Sequence, residues 1–389
     1  MTYDYLIVGA GIIGMTIAYE LKQKEPSLNI VIIDKEDDVA RHASGRNSGV
    51  LHAGFYYSSD SLKAKFTVDG NKRMKSFCSI NNIDVKNTKK IVVAKDEHEL
   101  EGIYELQRRA EKNGVNTRII DEREVAKIDS NIKTFRQALY SPTTASVDPK
   151  EVCYKLRDVL KDMDVKFYFN TPFKKSSIKY DYLINSAGVY ADKIAQSFGL
   201  AKNYTLLPFK GIYLKYMENK TDIKTNIYPV PNLNNPFLGV HYTITADGSI
   251  KIGPTAIPAF WRENYEGFSN FNLIEMLEII YYESKLFISN AFNFRNLAIN
   301  EIKNYNKKIF IQKAKDMVKK IGDDFKPIPA GIRAQLLDTN TNELVQDFVV
   351  EHGRNSTHIL NAVSPAFTCS FAFAQHVVEE IYNNKGRKL

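Results

Sequence analysis

Cysteine is scarce in this sequence. The chain of 389 residues contains only Cys78, Cys153 and Cys369, and no Cys-x-x-Cys or His/Cys spacing of a zinc site occurs. An odd number of scattered cysteines predicts neither a disulfide framework nor a structural zinc ion. We therefore expect no bound metal and a reducing compartment, for which the cytoplasm is the simplest assignment.

Long apolar segments are also missing. No apolar run reaches the roughly 20 residues that a membrane-spanning helix requires. The first apolar run begins at about Tyr5 and leads directly into a glycine motif, so we expect no secretory signal peptide. The prediction is a cytoplasmic protein. Peripheral contact with the inner face of the cell membrane stays open, because a basic protein surface attracts anionic lipid.

The basic residues do not indicate a nucleic-acid partner. The net charge is +8, but the lysines are interleaved with acidic residues, and the single tryptophan, Trp261, is isolated. A groove for single-stranded nucleic acid combines clustered basic residues with aromatic ones. We expect instead a small-molecule partner, with the positive charge steering anionic substrates toward the protein.

A dinucleotide fingerprint occupies the first thirty-four residues. The apolar run Tyr5–Val8 precedes Gly9-Ala10-Gly11-Ile12-Ile13-Gly14, a helical pattern follows, and a second apolar run ends at Asp34. In such a motif the glycines permit a tight turn, a close approach of a pyrophosphate and close helix packing, and the acid accepts hydrogen bonds from ribose hydroxyls. Strand, glycines, helix, strand and acid in this order predict a bound dinucleotide.

The segment that follows narrows the choice of dinucleotide. From Arg41 to Gly54 the residues are small and polar and show neither helical nor strand periodicity. A simple NAD dehydrogenase would continue with alternating strands and helices at this point. A small, polar backbone segment suits an extended ligand and favours a flavin, but these residues alone leave NAD and FAD both open.

The rest of the chain predicts two interleaved domains. Tyr182–Asn185 reads as a buried strand ending in small residues, 206–257 as antiparallel strands, 273–324 as lysine-rich helices and Ala366–Tyr382 as a final helix. The predicted fold class is α/β, a Rossmann-type cofactor-binding domain interleaved with an antiparallel β-sheet substrate domain that helices cap. We assign 1–80, 145–205 and 327–389 to the cofactor domain, and 81–144 and 206–326 to the substrate domain.

Several separated motifs resemble one family. They are His42–Tyr57, Tyr228–Pro231 through Pro236–His241, Gly253-Pro254, Gly331–Gln335 and Asp347-Phe348. Together they are similar to the L-2-hydroxyglutarate dehydrogenase/oxidase family of D-amino-acid-oxidase-like flavoproteins, over essentially the full length. One departure is Val363, where the family usually has proline.

The resemblance implies an enzyme that uses FAD to oxidise L-2-hydroxyglutarate to 2-oxoglutarate and passes the electrons to a quinone, an electron carrier or oxygen. It implies that the flavin ring lies where the two domains meet. No residue indicates a covalent attachment, so we expect noncovalent FAD. The predicted cofactor-binding residues are Gly9, Gly11, Ile13, Gly14, Asp34, Lys35, Ser44, Arg46, Asn47, Ser48, His52, Ala187, Gly188, Gly331, Pro365 and Ala366.

Oxidation of a 2-hydroxy acid requires a base that removes the hydroxyl proton, and histidine suits this role near neutral pH. Of seven histidines, only His52 and His241 lie in segments that should approach the flavin. His52 follows the cofactor loop directly, and His241 lies on a strand of the predicted substrate sheet. We favour His241 as the base, with His52 second.

A five-carbon dicarboxylate calls for an arginine that binds carboxylate through two hydrogen bonds. Arg333, in a Gly-Ile-Arg turn, is the first choice and is also predicted to be catalytic. The weaker candidates for substrate binding are Tyr57, Lys210, Tyr242 and Arg262.

Two other readings stay open. The same flavin chemistry acts on other 2-hydroxy dicarboxylates, such as malate, and on amino acids or amines. A protein of another class would bind FAD for RNA modification. The sequence identifies neither the electron acceptor nor the oligomeric state.

Overall fold

Two large β-sheets organise the chain. The computed structural model describes residues 2–174, 178–218, 223–231 and 237–386, so positions 232–236, between Pro231 and the segment that ends at His241, lie outside the described residues. The α/β fold class predicted from the sequence is confirmed.

The strands and helices have the following bounds. The strands are β1 (Tyr3–Val8), β2 (Ile30–Ile33), β3 (Val50–Leu51), β4 (Lys90–Val93), β5 (Arg118–Asp121), β6 (Gln137–Ser141), β7 (Ala145–Ser146), β8 (Lys166–Tyr168), β9 (Tyr180–Asn185), β10 (Tyr204–Tyr216), β11 (Asn226–Pro229), β12 (His241–Ile244), β13 (Ile250–Gly253), β14 (Ile257–Pro258), β15 (Phe325–Asp338), β16 (Glu343–Leu344), β17 (Val349–Gly353) and β18 (Ser356–Asn361). The α-helices are α1 (Ile12–Lys24), α2 (Leu62–Ile80), α3 (Glu97–Lys112), α4 (Glu122–Ile128), α5 (Pro149–Asp162), α6 (Ala191–Ser197), α7 (Leu273–Ser289), α8 (Phe294–Ile302), α9 (Lys307–Lys315) and α10 (Ala366–Gly386).

The first sheet has six strands in the order β17-β18-β9-β1-β2-β8. All neighbouring strands from β18 to β8 are parallel, and β17 adds an antiparallel edge. The four residues of β2 are all buried, as expected of a central parallel strand covered on both faces. Helices α1, α2, α5 and α10 pack together beside this sheet. The carboxyl ends of its central strands therefore meet at one edge, where ligands of such sheets bind.

The turn between β1 and α1 is tight because of two glycines. Gly9 has φ +105°, a conformation that residues with a Cβ rarely adopt. A Cβ on Gly14 would lie 2.2 Å from the carbonyl oxygen of Gly9 and 2.5 Å from Ser186 Oγ. Gly14 thus allows the start of α1 to pack directly on the neighbouring strand ends.

The second sheet has ten strands, and its main path runs β16-β15-β10-β13-β12-β11-β4-β6-β5, with β14 paired to β10. Most neighbours are antiparallel, and β11 and β4 are parallel. The two longest strands, β10 and β15, pair along twelve residues of each strand. A separate pair, β3 with β7, links the loop after the fingerprint to the segment before α5.

The proposed domain limits stay a prediction, and the sheets favour one change to them. The limit at residue 327 falls inside β15, which pairs with β10 across the ten-stranded sheet. Because β16 also joins this sheet, 325–344 groups with the substrate segments, and the return to the cofactor sheet begins at β17.

The region predicted as one lysine-rich helical segment contains α7, α8 and α9. Asn290, Phe292 and Asn293 adopt positive φ and separate α7 from α8. Asn272 caps α7, since its side chain accepts hydrogen bonds from the amides of Ile274 and Glu275. Among the described residues, no helix has the length and apolar character needed to cross a membrane.

Candidate active site

A cavity of about 1080 Å³ extends from the β1–α1 turn to the ten-stranded sheet. One end is lined by Gly9, Gly11 and Asp34, and the other by Tyr57, His241 and Arg333. His52 and the first turn of α10 lie along its course. One continuous space therefore joins the predicted dinucleotide site to the predicted substrate residues.

Backbone groups dominate the first end. Ala10 donates its amide proton to Asp34 Oδ2 over 2.7 Å, and Ile12 donates to Ser44 Oγ over 2.9 Å. Gly11 precedes α1 without a side-chain cap. The exposed amides at a helix N-terminus favour negative charge such as a pyrophosphate. The Asp34 carboxylate has about four lone-pair positions, so it retains acceptor capacity for ribose hydroxyls.

An ion-pair network borders this end. Lys35 Nζ lies 2.7 Å from Glu263 Oε1 and also contacts Glu36. His42 Nε2 lies 2.9 Å from Glu36 Oε1, and His42 Nδ1 lies 2.7 Å from the Tyr265 hydroxyl. Glu36, His42 and Glu263 lie close enough together to be potential metal ligands. Lys35 pairs with both glutamates of this group.

His52 lies midway along the cavity and its backbone is held on both sides. Its amide donates to Thr368 Oγ1 on α10 over 3.1 Å, and its carbonyl accepts from Asn71 Nδ2 on α2 over 3.0 Å. The imidazole Nδ1 lies 3.4 Å from Lys90 Nζ. Burial, and next the Lys90 charge, lower the pKa of His52 well below its usual value, so the ring is neutral at neutral pH.

His241 begins β12 on the cavity side of the ten-stranded sheet. Its ring stacks on Tyr228 with 3.7 Å between centroids, and Nδ1 lies 2.9 Å from the Gly239 carbonyl oxygen. A carbonyl oxygen only accepts, so Nδ1 carries the proton and Nε2 keeps a free lone pair. Burial lowers the pKa of His241 to about 3, with a smaller contribution from Lys90. The ring is thus a neutral acceptor at neutral pH.

Two basic side chains line the substrate end, the half-buried Arg333 and the buried Lys63. Arg333 on β15 donates from Nε to Gln335 Oε1 over 3.2 Å, and its guanidinium lies 4.9 Å from the Phe237 ring centroid. Burial lowers its pKa to about 10, so it stays charged at neutral pH. Burial, and next the Arg333 charge, lower the pKa of Lys63 to about 7.

Neither cation has an ion-pair partner within the part of the chain that the structure describes. The Asp347 carboxylate accepts hydrogen bonds from the backbone amides of Leu62 and Lys63 at the start of α2. Because an unpaired charge in a buried site is costly, this end of the cavity is complementary to an anion.

A family model described as FAD dependent oxidoreductase matches residues 4–380. The chain belongs to this family. Curated relatives are about a third identical over nearly the whole chain. The L-2-hydroxyglutarate dehydrogenase of Indibacter alkaliphilus is 33% identical over 97% of this chain and 98% of its own. The mitochondrial L-2-hydroxyglutarate dehydrogenase of Mus musculus is 33% identical over 96% of this chain and 87% of its own.

Solved structures share the fold of this FAD-dependent oxidoreductase. L-α-glycerophosphate oxidase from Mycoplasma pneumoniae, solved with FAD bound, superposes with a TM-score of 0.75 at 21% identity and covers 97% of this chain and 94% of its own. Glycine oxidase from Bacillus cereus has a TM-score of 0.69 at 13% identity and covers 98% and 95%.

The residues of this FAD-dependent oxidoreductase fit the flavin dinucleotide. Gly11 and Gly331 line the cavity. A Cβ on Gly11 would lie 3.0 Å from Ser44 Oγ, and one on Gly331 would lie 2.7 Å from the Arg46 carbonyl oxygen, so a larger residue at either position would crowd the cavity wall. The predicted cofactor residues that line the cavity are Gly9, Gly11, Ile13, Asp34, Lys35, Ser44, Arg46, Asn47, Ser48, His52, Ala187, Gly188, Gly331, Pro365 and Ala366. Gly14 does not line it, and its contacts with Gly9 and Ser186 make it a packing residue instead.

Two predicted substrate residues lie elsewhere. Tyr242 follows His241 on β12, so its side chain points to the opposite face, into an apolar core with Ile227 and Ile252. Lys210 does not line the cavity, because its ammonium donates to Asn264 Oδ1 over 3.2 Å. Tyr57 and Arg333 line the cavity, whereas Tyr242 and Lys210 do not.

Arg262, the last candidate, has a structural role. It is 1% exposed and pairs through both terminal nitrogens with Asp192 at 2.8 Å. This buried ion pair joins the segment before α7 to α6.

Sequence reasoning missed three residues near the substrate end. Lys63 and Tyr213 line the cavity, and Lys90 contacts His52 from behind. The sequence contains evidence that could have identified Lys63. This residue lies in the first turn of the helix that follows the cofactor loop, directly after the N-cap Ser61 and Leu62. No pattern in the sequence distinguishes Lys90 from a solvated lysine.

Proposed function

We propose that this FAD-dependent oxidoreductase oxidises L-2-hydroxyglutarate to 2-oxoglutarate. The main support from the structure is a pair of basic side chains, Arg333 and Lys63, which have no ion-pair partner among the described residues and line the same cavity as the neutral acceptor His241. Two cations match the two carboxylates of a five-carbon dicarboxylate. The names of the curated relatives support the same substrate.

The substrate's carboxylates bind at the cationic end. Arg333 binds one carboxylate through two N–H groups, a geometry that a guanidinium is suited to. Lys63 attracts the second carboxylate as a point charge. The Tyr57 hydroxyl lies in the same wall, and burial raises its pKa, so it stays a neutral hydrogen-bond donor. This arrangement orients C2 of the substrate toward the histidines.

His241 Nε2 accepts the proton of the C2 hydroxyl. The hydrogen on C2 leaves with the electron pair of the C–H bond, and FAD, when bound, supplies the acceptor for this hydride equivalent. Loss of one proton and one hydride leaves the C2 carbonyl of 2-oxoglutarate. His52 lines the same cavity. We propose noncovalent FAD, which acid precipitation should release completely into the supernatant.

Turnover with an artificial electron acceptor tests this substrate. The panel is L- and D-2-hydroxyglutarate, L-malate, L-glutamate and glycine, with the keto product identified chemically. We expect L-2-hydroxyglutarate to have the highest kcat/KM and to yield 2-oxoglutarate. Preference for malate would keep the chemistry and replace the substrate, and preference for an amino acid would contradict the assignment of His241 as a base for a hydroxyl group.

For the partner, we propose peripheral contact with an anionic membrane through an apolar helical face. Its members on and before α7 are Phe268, Ile274, Leu277, Tyr281 and Ile288. Phe268 is 84% exposed, Ile274 79% and Ile288 75%. Ile274, Leu277, Tyr281 and Ile288 recur at helical spacing and so share one side of α7.

Charge supports a lipid partner for this face. The exposed lysines 303, 307 and 308 follow the apolar face along the chain, and anionic lipid attracts such residues. Cosedimentation with phosphatidylglycerol vesicles should fall in an Ile274→Ser, Ile288→Ser variant and stay unchanged in Ile80→Ser, whose isoleucine is 76% exposed on α2. Equal binding of the first variant and the wild type would contradict this contact.

A quinone, an electron carrier and oxygen all stay candidates for the acceptor, and reoxidation rates with each would rank them.

A further inference from the structure

A buried lysine, Lys90, contacts His52 and acts electrostatically on His241. Lys90, on β4, is 0% exposed, and no acid in the described part of the chain pairs with it. Its Nζ lies 3.9 Å from the centroid of the Tyr228 ring and 5.0 Å from that of Tyr56. Aromatic faces stabilise a cation at such distances. Burial lowers the pKa of Lys90 to about 7, so below neutral pH it is an ammonium.

While Lys90 is an ammonium, its contact with His52 determines which nitrogen of His52 carries the proton. Lys90 Nζ lies 3.4 Å from His52 Nδ1. An ammonium only donates, so Nδ1 accepts and the proton of the neutral ring resides on Nε2. His241 has the opposite arrangement, because its Nδ1 donates to the Gly239 carbonyl. The cavity thus receives a donor from His52 and an acceptor from His241.

We propose that Lys90 is a positioning residue that holds His52 as a hydrogen-bond donor and so leaves proton abstraction to His241 alone. His52 Nε2–H donates to the C2 oxygen of the substrate as His241 Nε2 removes the hydroxyl proton. The donated hydrogen bond strengthens as negative charge develops on that oxygen. This inference rests on the proposed function, and it decides between two histidines that the sequence left as competing bases.

Lys90 also affects the protonation of both histidines. The titratable groups that face Lys90 are His52, Tyr56, Tyr228 and His241. Burial is the largest cause of the depressed pKa of each histidine, and the Lys90 charge is the second. Removal of this charge raises the pKa of His241. Because the reaction requires neutral His241, the enzyme then loses activity at a higher pH as the solution is acidified.

Nuclear magnetic resonance of the resting FAD enzyme tests the tautomers without any turnover. In protein labelled with 15N-histidine, below the pKa of Lys90, we expect the Nε2–H pattern for His52 and the Nδ1–H pattern for His241. The variants His52→Gln and His241→Gln assign the two sets of signals. An Nδ1–H pattern for His52 would overturn the proposal. This measurement stays decisive even if no 2-hydroxy acid reduces the flavin, a result that would instead contradict the proposed function.

The same two variants form a matched kinetic pair. A glutamine amide is able to donate a hydrogen bond in place of Nε2–H, but it is unable to accept a proton. We therefore expect His52→Gln to reduce the rate of flavin reduction by at most about tenfold, the value of one hydrogen bond, and His241→Gln to reduce it by about 10²- to 10⁴-fold, the value of a general base. His52→Gln should retain the wild-type pH profile. Equal losses in the two variants would overturn the assignment.

Variants of Lys90 test its own role. In Lys90→Met we expect the His52 signals to lose the fixed Nε2–H pattern and the acidic limb of the flavin-reduction profile to move to higher pH. Lys90→Arg keeps a cation and should restore both properties. A uniform loss of rate with an unmoved acidic limb would overturn the proposal, and if Lys90→Met fails to fold, the wild-type signals and the histidine pair decide it.

Discussion

The two ends of the cavity recognise their ligands by different physical means. At the dinucleotide end, Gly9, Gly11 and Asp34 lie close together in the sequence, and the backbone amides of Ala10 and Ile12 donate to the side chains of Asp34 and Ser44. At the substrate end they come from side chains on α2, β12 and β15, which are far apart in sequence. Recognition at the first end depends on the backbone conformation, and recognition at the second depends on Arg333 and Lys63, which have no ion-pair partner in the part of the chain that the structure describes. Changes at one end should therefore leave the other end working.

The largest effect is expected from removal of the base. His241→Ala should reduce the rate of flavin reduction by about 10²- to 10⁴-fold. The protein should stay yellow, since His241 lies at the substrate end. Stopped-flow absorbance under anaerobic conditions measures the rate, with His98→Ala on the surface as a control. A rate near that of the wild type would place the base elsewhere, and His52 would be tested next.

The next effect concerns the guanidinium. Arg333→Met should raise KM by about 100-fold, because a bidentate charge-assisted contact contributes about 3 kcal/mol. FAD content should not change. Steady-state kinetics measures KM, and the exposed Arg123→Met provides the control. An unchanged KM would remove Arg333 from carboxylate binding.

A change at the dinucleotide end should weaken FAD binding and leave KM unchanged, which is the reverse of the result expected for Arg333→Met. In Gly11→Ala the added Cβ lies 3.0 Å from Ser44 Oγ and takes the space that an approaching pyrophosphate requires. We expect about tenfold weaker FAD binding, equivalent to about 1.4 kcal/mol, and an unchanged KM once FAD saturates the protein. Fluorescence titration of the apoprotein measures the affinity. A raised KM with normal FAD affinity would contradict the separation of the two ends.

The smallest effect is a dependence of KM on pH. Burial and Arg333 lower the pKa of Lys63 to about 7. The ammonium is present below this pH and is lost above it, so KM should rise by about tenfold from acidic to mildly basic pH as one charge-assisted contact disappears. Lys63→Met should show the higher KM throughout and no such rise. A rise that persists in Lys63→Met would assign the titration to another group.

The sequence predicted the dinucleotide end well because its determinants are contiguous. Gly9, Gly11 and Asp34 read as a strand, a turn and a second strand, and local backbone rules suffice to place them together. The glycine motif was predicted to allow close helix packing and Gly14 was also predicted to bind the cofactor, and the contacts of Gly14 support the packing role.

The substrate end was harder to predict because it depends on strand register and burial. His241 and Tyr242 are neighbours on β12, and a shift of one residue exchanges the two faces, so the sequence did not separate them. Lys90 was not predicted, because nothing local in the sequence shows that tertiary packing buries it. Arg262 resembled a substrate residue until its partner Asp192, seventy positions away, was placed beside it.

Anaerobic mixing of the FAD-loaded enzyme with one equivalent of L-2-hydroxyglutarate tests the central claim most directly. If the cavity delivers this substrate from the cationic end to the flavin, the oxidised flavin absorbance should disappear in one fast phase, and the D-enantiomer should leave it unchanged. Persistence of the oxidised flavin spectrum with the L-enantiomer would contradict the account.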